Sequence, residues 1–144
     1  MRQPNLIQNF WRMKVRVLVA DDESDVEKLF RQQFRREVRQ GLYVLDFAQS
    51  GKAPLETLEA HAGEQLILLV SDINMPGMTG LELLPQVRQR RPDLPVFMIS
   101  ADGDNDTVAM ALHRGANQFM TKPVDFPQLK RATTAEIAQA QGTP

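Results

Sequence analysis

The chain has 144 residues and a formal net charge of −1 at pH 7, with 42% hydrophobic and 24% charged residues. These values fit one globular domain and give no global attraction to nucleic acid or to a membrane surface. No cysteine is present, which excludes disulfides, thiolate metal ligands and cysteine nucleophiles. No stretch reaches about 18 consecutive apolar residues and the N-terminus lacks a signal-peptide pattern, so we expect a cytoplasmic protein.

Residues 1–13 precede the first predicted strand and contain the only tryptophan, Trp11. Leu6, Ile7 and Phe10 have helical spacing, which allows a short amphipathic turn that docks on its own domain or on a second copy. Otherwise the segment is a frayed extension, or the natural start codon lies downstream, at Met13. We therefore predict an N-terminal extension over residues 1–13, one domain over residues 14–140 and a tail over residues 141–144.

Five short apolar runs in the chain are typical of β-strands. They cover residues 15–20, 42–48, 66–71, 95–100 and, more weakly, 117–120. Apolar residues at helical spacing follow four of these runs, at Val26, Leu29, Phe30, Phe34 and Val38, at Leu81, Leu84 and Val87, at Val108 and Leu112, and at Phe126, Leu129 and Ile137. Strands that alternate with helices are parallel and joined by right-handed crossovers. We therefore predict an α/β fold, a doubly wound parallel sheet with helices on both faces.

Two residues bear on where these predicted helices begin or bend. Asp125 precedes the last helix and is predicted to cap its N-terminus. Pro85 lies within the helix that contains Leu81, and it lacks the backbone N–H that a helix interior needs. We therefore predict that this helix begins late or bends near Pro85.

Polar residues lie at the C-terminal ends of four predicted strands. Asp21 and Asp22 follow the first strand, Asp72 the third, Ser100 the fourth and Lys122 the fifth. In a doubly wound sheet these strand ends share one edge, which is where ligands bind. A single aspartate at such a position is most often a helix cap or a turn residue. Capping alone does not account for four such strand ends at once.

The three aspartates together predict a metal site. At an effective dielectric near 20, two carboxylates about 4 Å apart repel each other by roughly 4 kcal/mol, so three of them need a cation. Carboxylate oxygens with the Asn74 backbone carbonyl and waters favour a hard ion, and we predict Mg²⁺. Lys122 and the Ser100 hydroxyl can both meet a phosphate oxygen. Asp72 is anionic at pH 7 and can take a phosphoryl group without a general base.

We assign no function to the remaining clusters of charged and titratable residues. Two groups of arginines, namely Arg35, Arg36 and Arg39, and Arg88, Arg90 and Arg91, fit the solvated faces of amphipathic helices. We predict no nucleic-acid role for them. His61 and His113 have no partner at metal-ligand or catalytic spacing, and are interpreted as surface or boundary histidines.

Four motifs in order resemble the receiver domain of two-component response regulators: "DD" at 21–22, "DINMPGMTG" from Asp72, "ISA" from Ile99 and "FMTKP" from Phe119. The resemblance covers residues 14 to about 138, and each motif falls at the end of the expected strand. It implies a flavodoxin-like fold with a five-stranded sheet in the order 2-1-3-4-5 and five helices.

The resemblance also implies a role for each residue at the acidic edge. Asp72 matches the phosphoacceptor, and Asp22 matches the residue that binds Mg²⁺ directly, with Asp21 assisting through water. Asn74 matches the position that gives its backbone carbonyl to the metal. Lys122 matches the lysine that contacts the phosphate.

A second group of positions resembles the family's switch and its control of phosphate lifetime. Ser100 matches the switch hydroxyl and Phe119 the switch aromatic residue. Pro123 follows Lys122 where the family commonly has a cis peptide bond. Asn74 and Asp102 match the positions that flank the path of attacking water, so their small polar side chains are expected to permit dephosphorylation within minutes.

The leading hypothesis is a stand-alone, phosphorylation-controlled switch. It would accept a phosphoryl group on Asp72 from a sensor histidine kinase or a phosphotransfer protein. It would then alter the binding of an unknown downstream protein through the face made by the fourth helix, the fifth strand and the fifth helix. We predict no enzymatic activity on a separate substrate, and no nucleic-acid or membrane partner. A homodimer is left open, as are the kinase, the stimulus and the target.

Three alternative functions remain. The chain can be a receiver domain cut from a larger hybrid kinase or effector, since its polar end suits the start of a linker. A phosphohydrolase with an aspartyl-phosphate intermediate needs a second acid two residues after the nucleophile, and Asn74 stands there. A flavodoxin-like cofactor binder is disfavoured because three clustered acids would repel a phosphate group unless metal were present.

Overall fold

The structure is a computed structural model that describes residues 15–49, 55–56, 66–75 and 77–140. Within these residues it contains the strands and helices β1 (Val15–Ala20), α1 (Ser24–Gln33), α2 (Arg35–Arg39), β2 (Tyr43–Ala48), β3 (Leu66–Asp72), α3 (Gly80–Arg90), β4 (Val96–Ser100), α4 (Asn105–His113), β5 (Gln118–Thr121) and α5 (Phe126–Ala140). The predicted extension over 1–13 and the tail over 141–144 lie outside the described residues.

The five strands form one parallel sheet in the order β2-β1-β3-β4-β5. The predicted α/β class and strand order are therefore confirmed, and the strand limits differ from the predicted ones by one residue at most. Apolar side chains are buried on both faces of the sheet, for example Leu18 and Leu69 on one face and Val17 and Phe97 on the other. Burial on both faces explains why these strands are continuous apolar runs in the sequence.

The helix predicted around Val26 to Val38 is divided into α1 and α2 at Phe34. Helical hydrogen bonding continues through the break, because the Phe34 N–H donates to the Phe30 carbonyl and the Val38 N–H donates to the Phe34 carbonyl, both at 2.9 Å. Phe30 and Phe34 are both buried and lie against Phe126 of α5, with ring centroids 5.1 and 6.3 Å away. The predicted apolar face was wrong for Leu29 and Val38, which are 41% and 44% exposed.

Polar side chains fix where the last three helices begin. Thr79 caps α3 in a capping box, in which its hydroxyl accepts from the Glu82 N–H and its own N–H donates to the Glu82 carboxylate. Asp104 caps α4 by accepting from the Thr107 N–H at 2.7 Å. Asp125 accepts from the Gln128 N–H at 3.1 Å, which confirms the predicted cap of α5. None of the described helices is long and apolar enough to cross a lipid bilayer.

Helix α3 runs through Pro85 from Gly80 to Arg90, so the prediction that it begins late was wrong. Proline cannot donate to the Leu81 carbonyl one turn earlier, which leaves that carbonyl without its helical partner. The guanidinium of Arg114, which follows α4, donates to this carbonyl at 2.8 Å. A side chain 33 residues away in sequence thus replaces the missing backbone donor and joins α3 to the end of α4.

We expect Arg114→Gln to lower the free energy of unfolding by about 1 to 2 kcal/mol, because the Leu81 carbonyl loses a charged donor. In a Pro85→Ala background a backbone N–H is available to this carbonyl, so the same substitution should cost clearly less. Chemical denaturation of the four proteins of this double-mutant cycle measures the difference. Equal costs of Arg114→Gln in both backgrounds would show that Arg114 does not compensate for Pro85.

Candidate functional site

Three aspartates meet at the C-terminal edge of the sheet. Asp21 follows β1 and Asp72 ends β3, and the neighbouring pair Ala20 and Ser71 is in register across these two strands. One carboxylate oxygen from each of Asp21, Asp22 and Asp72 lies within 4.8 Å of the others. Parallel pairing of β1 with β3 therefore brings the predicted acids together.

The three aspartates differ in burial and in their hydrogen bonds. Asp72 is buried, with 4% of its surface exposed, whereas Asp22 is exposed. An Asp21 carboxylate oxygen accepts from the Glu23 N–H at 2.9 Å, which fixes the side chain against its own loop. The Asn74 N–H approaches an Asp72 carboxylate oxygen at 3.4 Å. The donor set is entirely oxygen and mostly anionic, which fits a hard divalent cation.

Lys122 directs its ammonium group into this acidic cluster. Its Nζ lies 3.2 Å from an Asp21 oxygen, 3.4 Å from an Asp72 oxygen and 3.6 Å from a Glu23 oxygen. The Lys122 N–H also donates to the Ser100 carbonyl at 2.9 Å, so the backbone after β5 is held alongside the end of β4. The peptide bond between Lys122 and Pro123 is cis, as the resemblance implies.

The pKa values of Asp72 and Lys122 reflect this crowding. Burial and the nearby Asp21 charge raise the pKa of Asp72, and the attraction of Lys122 offsets only part of that effect. Burial lowers the pKa of Lys122, but the fields of Asp21, Asp72 and Glu23 outweigh burial and raise it. The cluster therefore holds more negative charge than Lys122 can neutralise, which is an electrostatic reason for it to attract a further cation.

Ser100 and Phe119 lie near the cluster without a bond to it in the part of the chain that the structure describes. Ser100 is buried at the end of β4, and its hydroxyl accepts from the Asp102 N–H at 3.0 Å. Phe119 is half-buried on β5, opposite Met98 of β4, and packs against the core. The side chains of Asn74 and Asp102 are exposed, as water access to this edge requires.

Sequence reasoning missed Glu23 as a member of this cluster. Its side chain is 61% exposed and its oxygen lies 3.6 Å from the Lys122 ammonium. The signal in the sequence was the third acid of "ADDE", directly after the two predicted ligands. Because Glu23 is exposed, its attraction to Lys122 is screened by solvent, and it adds less to the cluster than the two buried aspartates.

Comparison with known proteins gives a consistent result. A sequence profile described as the response regulator receiver domain matches residues 17–134. Response regulator protein PilR of Pseudomonas aeruginosa is 37% identical over 122 residues, and DNA-binding transcriptional regulator NtrC of Escherichia coli K12 is 38% identical over 125 residues. These alignments cover 85% and 87% of this chain but 26% and 25% of those proteins. The chain thus spans about a quarter of the length of these relatives.

Solved structures share the same fold. A response regulator receiver domain protein from Clostridium thermocellum matches with a TM-score of 0.78 and 22% identity, over 88% of this chain and 97% of that one. The complex described as CheX-CheY-BeF3-Mg²⁺ from Borrelia burgdorferi matches with a TM-score of 0.74 and 27% identity, over 88% and 97%.

We expect Asp72→Asn to stabilise the metal-free protein at pH 7. The folded protein raises the pKa of the Asp72 carboxyl group above its ordinary value of 3.8. The protein therefore loses stability as the pH rises from about this ordinary pKa through the raised pKa, and the whole loss is present at pH 7. The variant lacks this cost, so its melting temperature in a chelator should exceed that of the wild type at pH 7 and converge on it towards pH 4. Asp93→Asn, at an exposed carboxyl group outside the cluster, is the control. A variant that melts below the wild type at pH 7 would contradict this view of Asp72.

Proposed function

The chain belongs to the receiver domains of two-component response regulators, and on that basis we propose that Asp72 accepts its phosphoryl group from a histidine kinase or a phosphotransfer protein. The observation that carries the proposal is the convergence of three carboxylates and one ammonium group at a single edge of the sheet. Asp72 is the buried aspartate at the end of a central strand, so a rigid element aims its carboxylate.

We assign the metal site to the carboxylates of Asp21, Asp22 and Asp72 and to the backbone carbonyl of Asn74. The oxygen donor set and its excess negative charge support Mg²⁺. The similar structures from Borrelia burgdorferi and Thermotoga maritima are described as complexes with Mg²⁺ and a beryllium fluoride. A bound cation would neutralise part of the negative charge that builds up on the transferred phosphoryl group.

Phosphoryl transfer requires one displacement at phosphorus. An Asp72 carboxylate oxygen attacks in line, an O–P bond forms, and the N–P bond to the donor imidazole breaks with its electron pair leaving on nitrogen. Lys122 lies 3.4 Å from an Asp72 oxygen and is placed to meet a phosphoryl oxygen as a point charge. The chain thus supplies the nucleophile and a cation and needs no general base.

In the proposed function, the protein accepts a phosphoryl group on its own Asp72 and has no separate substrate. The relatives are named as regulators, which agrees with that role. A phosphohydrolase of the aspartyl-phosphate type would need an acid where Asn74 stands. The exposed side chains of Asn74 and Asp102 leave the edge open to water, so the acyl phosphate is expected to hydrolyse within minutes.

A chain of hydrogen bonds connects Ser100, the buried serine at the end of β4, to α4. The Asp102 N–H donates to the Ser100 hydroxyl at 3.0 Å, and the Asp104 N–H donates to Asp102 at 3.2 Å. Asp104 in turn caps α4 through the Thr107 N–H. If Ser100 turns towards a phosphoryl oxygen, the Asp102 N–H loses its acceptor and the N-terminal end of α4 is loosened.

The energies involved are of the right size for a switch. A charge-assisted hydrogen bond from Ser100 and another from Lys122 contribute about 1.5 to 3 kcal/mol each, or roughly 3 to 6 kcal/mol together. Inverting a two-state population from about 1:99 to 99:1 takes near 5.5 kcal/mol. As Ser100 moves inward, half-buried Phe119 can follow into the vacated space. The change is then expected to reach the face of α4, β5 and α5.

The proposed function has two forms: the receiver works alone, or it works as one domain of a longer protein. Because the chain spans about a quarter of PilR and NtrC, a receiver from a larger regulator or hybrid kinase is an alternative to a stand-alone one. Homodimerisation through the same face is compatible with either form. Sequencing the reading frame and its neighbours distinguishes the two forms.

We expect intact-mass analysis to show one added phosphoryl group after incubation with acetyl phosphate and Mg²⁺. Asp72→Asn should show none, because its amide is not a nucleophile at neutral pH. Chelation, or Asp22→Ala, should abolish labelling while circular dichroism shows an intact fold, since Asp22 is exposed and its charge is crowded. Labelling of Asp72→Asn at a rate near that of the wild type would refute the assignment.

We expect phosphorylation to increase amide exchange at the N-terminal end of α4 more than in α1. Ser100→Ala should accept phosphate at Asp72 but lose this change, because it lacks the hydroxyl that accepts from the Asp102 N–H and that is proposed to turn towards the phosphoryl group. Hydrogen exchange with mass spectrometry, with and without acetyl phosphate, measures both. A Ser100→Ala protein that keeps the phosphate-dependent change would show that the signal leaves by another route.

A further inference from the structure

The C-terminal part of the first helical segment carries a cluster of arginines. Between residues 31 and 40 the chain carries four arginines and one glutamate, although its net charge is only −1. The glutamate, Glu37, already pairs with Lys130 of α5 at 3.0 Å. Arg35, Arg36 and Arg39 are exposed and form no ion pair with any side chain in the described ranges. This surface therefore carries uncompensated positive charge.

Three of these arginines form a single stripe. Arg31, Arg35 and Arg39 are four residues apart, so they lie on one side of α1 and α2. Like charges at this spacing destabilise a helix by a few tenths of a kcal/mol for each pair, whereas an ordinary solvated face mixes charges of both signs. Only Arg31 has a partner among the described side chains, since it pairs with Glu27 at 3.1 Å and lies over the Phe47 ring.

The stripe borders an apolar groove of about 430 Å³ beside the edge strand β2. The groove lies between α1–α2 and the strand, and it is lined by Arg31, Arg35, Val38, Arg39, Gly41, Tyr43, Val44 and Leu45. Val38 is 44% exposed there, although it is a large apolar residue. In the described part of the chain β2 pairs only with β1, so its outer edge has backbone groups available for another strand.

We propose that this groove binds an extended, acidic and partly apolar segment of a partner protein. Its carboxylates would pair with Arg35 and Arg39, its apolar side chains would cover Val38 and Leu45, and its backbone would extend the sheet beside β2. Charge complementarity selects an acidic partner. Single-stranded nucleic acid is disfavoured because Tyr43, the aromatic residue among those that line the groove, is buried, and the Phe47 ring nearby is already covered by Arg31.

The position of the groove separates this docking from the switch. Strand β2 is at one edge of the sheet and β5 is at the other, so a partner on β2 leaves the proposed output face free. Binding there should therefore occur with and without phosphate on Asp72. Such a surface would hold a partner close to the receiver while the face of α4, β5 and α5 changes.

Fluorescence anisotropy on the full chain tests the proposal with a labelled peptide of about ten residues that repeats Glu-Glu-Val-Val, so that each face of the extended peptide carries both glutamate and valine. We expect this peptide to bind, and a glutamate–serine peptide of equal charge to bind clearly less, because it lacks the apolar side chains. The double substitution Arg35→Glu and Arg39→Glu should weaken binding by about tenfold or more. Lys28→Glu with Arg131→Glu changes the net charge equally outside the groove and should have little effect.

The controls separate this docking from its alternatives and from the proposed function. Acetyl phosphate labelling of Asp72 should be unchanged in the Arg35→Glu and Arg39→Glu protein, whatever the fate of the peptide. No binding of the glutamate–valine peptide, or equal weakening by both double substitutions, would overturn the proposal. Peptide binding that appears only after removal of residues 1–14 would assign the groove to the chain's own N-terminus. Light scattering that shows a dimer lost on Arg35→Glu and Arg39→Glu would assign it to a second copy.

Discussion

The balance of charges around the Lys122 ammonium group determines the electrostatics of the acidic edge of the sheet. One cation lies within 3.6 Å of oxygens from three carboxylates, and Asp22 adds a fourth negative charge close by. Repulsion between buried like charges is worth several kcal/mol at short range, so the cluster is held in place by the fold and not by its own interactions. The raised pKa of Asp72 expresses the same imbalance. A divalent cation and a phosphoryl group would change this balance more strongly than any contact elsewhere in the domain.

The backbone around Asp72 leaves almost no room for adjustment. The Gly80 N–H donates to the Ile73 carbonyl at 2.8 Å, which brings the start of α3 against the end of β3. A Cβ on Gly80 would lie 2.5 Å from the Asp72 carbonyl oxygen and 2.5 Å from the Met98 side chain, so only glycine fits this approach. We therefore expect a charge change at Asp72 to be taken up mainly by side chains and by the loops after β4 and β5.

The features that the sequence could predict are those that depend on local pattern. The strands were found within a residue because burial on both faces makes each one a continuous apolar run, and Asp21 and Asp72 followed from the rule that parallel strands share a C-terminal edge. The failures involve distant partners. Pro85 is tolerated inside α3 because Arg114 supplies a donor from another helix, and no local pattern shows such a contact. The hydrogen bond from the Asp102 N–H to the Ser100 hydroxyl likewise depends on the path of the loop after β4.

The two ends of α4 are held by contacts of very different strength. At the C-terminal end Arg114 donates to the Leu81 carbonyl, and Arg88 donates to the Gly115 carbonyl at 2.6 Å and to the Asn117 side chain at 2.9 Å. The bonds to the Leu81 and Gly115 carbonyls are part-buried and have charged donors, so breaking each of them costs about 1.5 to 3 kcal/mol. At the N-terminal end the Asp104 N–H donates to the Asp102 carboxylate, and the Asp104 carboxylate accepts from the Thr107 N–H. Both of these bonds are exposed, so solvent screens them and each contributes less than a part-buried charged bond. If Asp72 accepts a phosphoryl group as proposed, the roughly 3 to 6 kcal/mol from its bonds to Ser100 and Lys122 would be enough to release the N-terminal contacts but not the whole helix. The helix should therefore pivot about its C-terminal end, and the changed surface should lie next to the phosphorylation site.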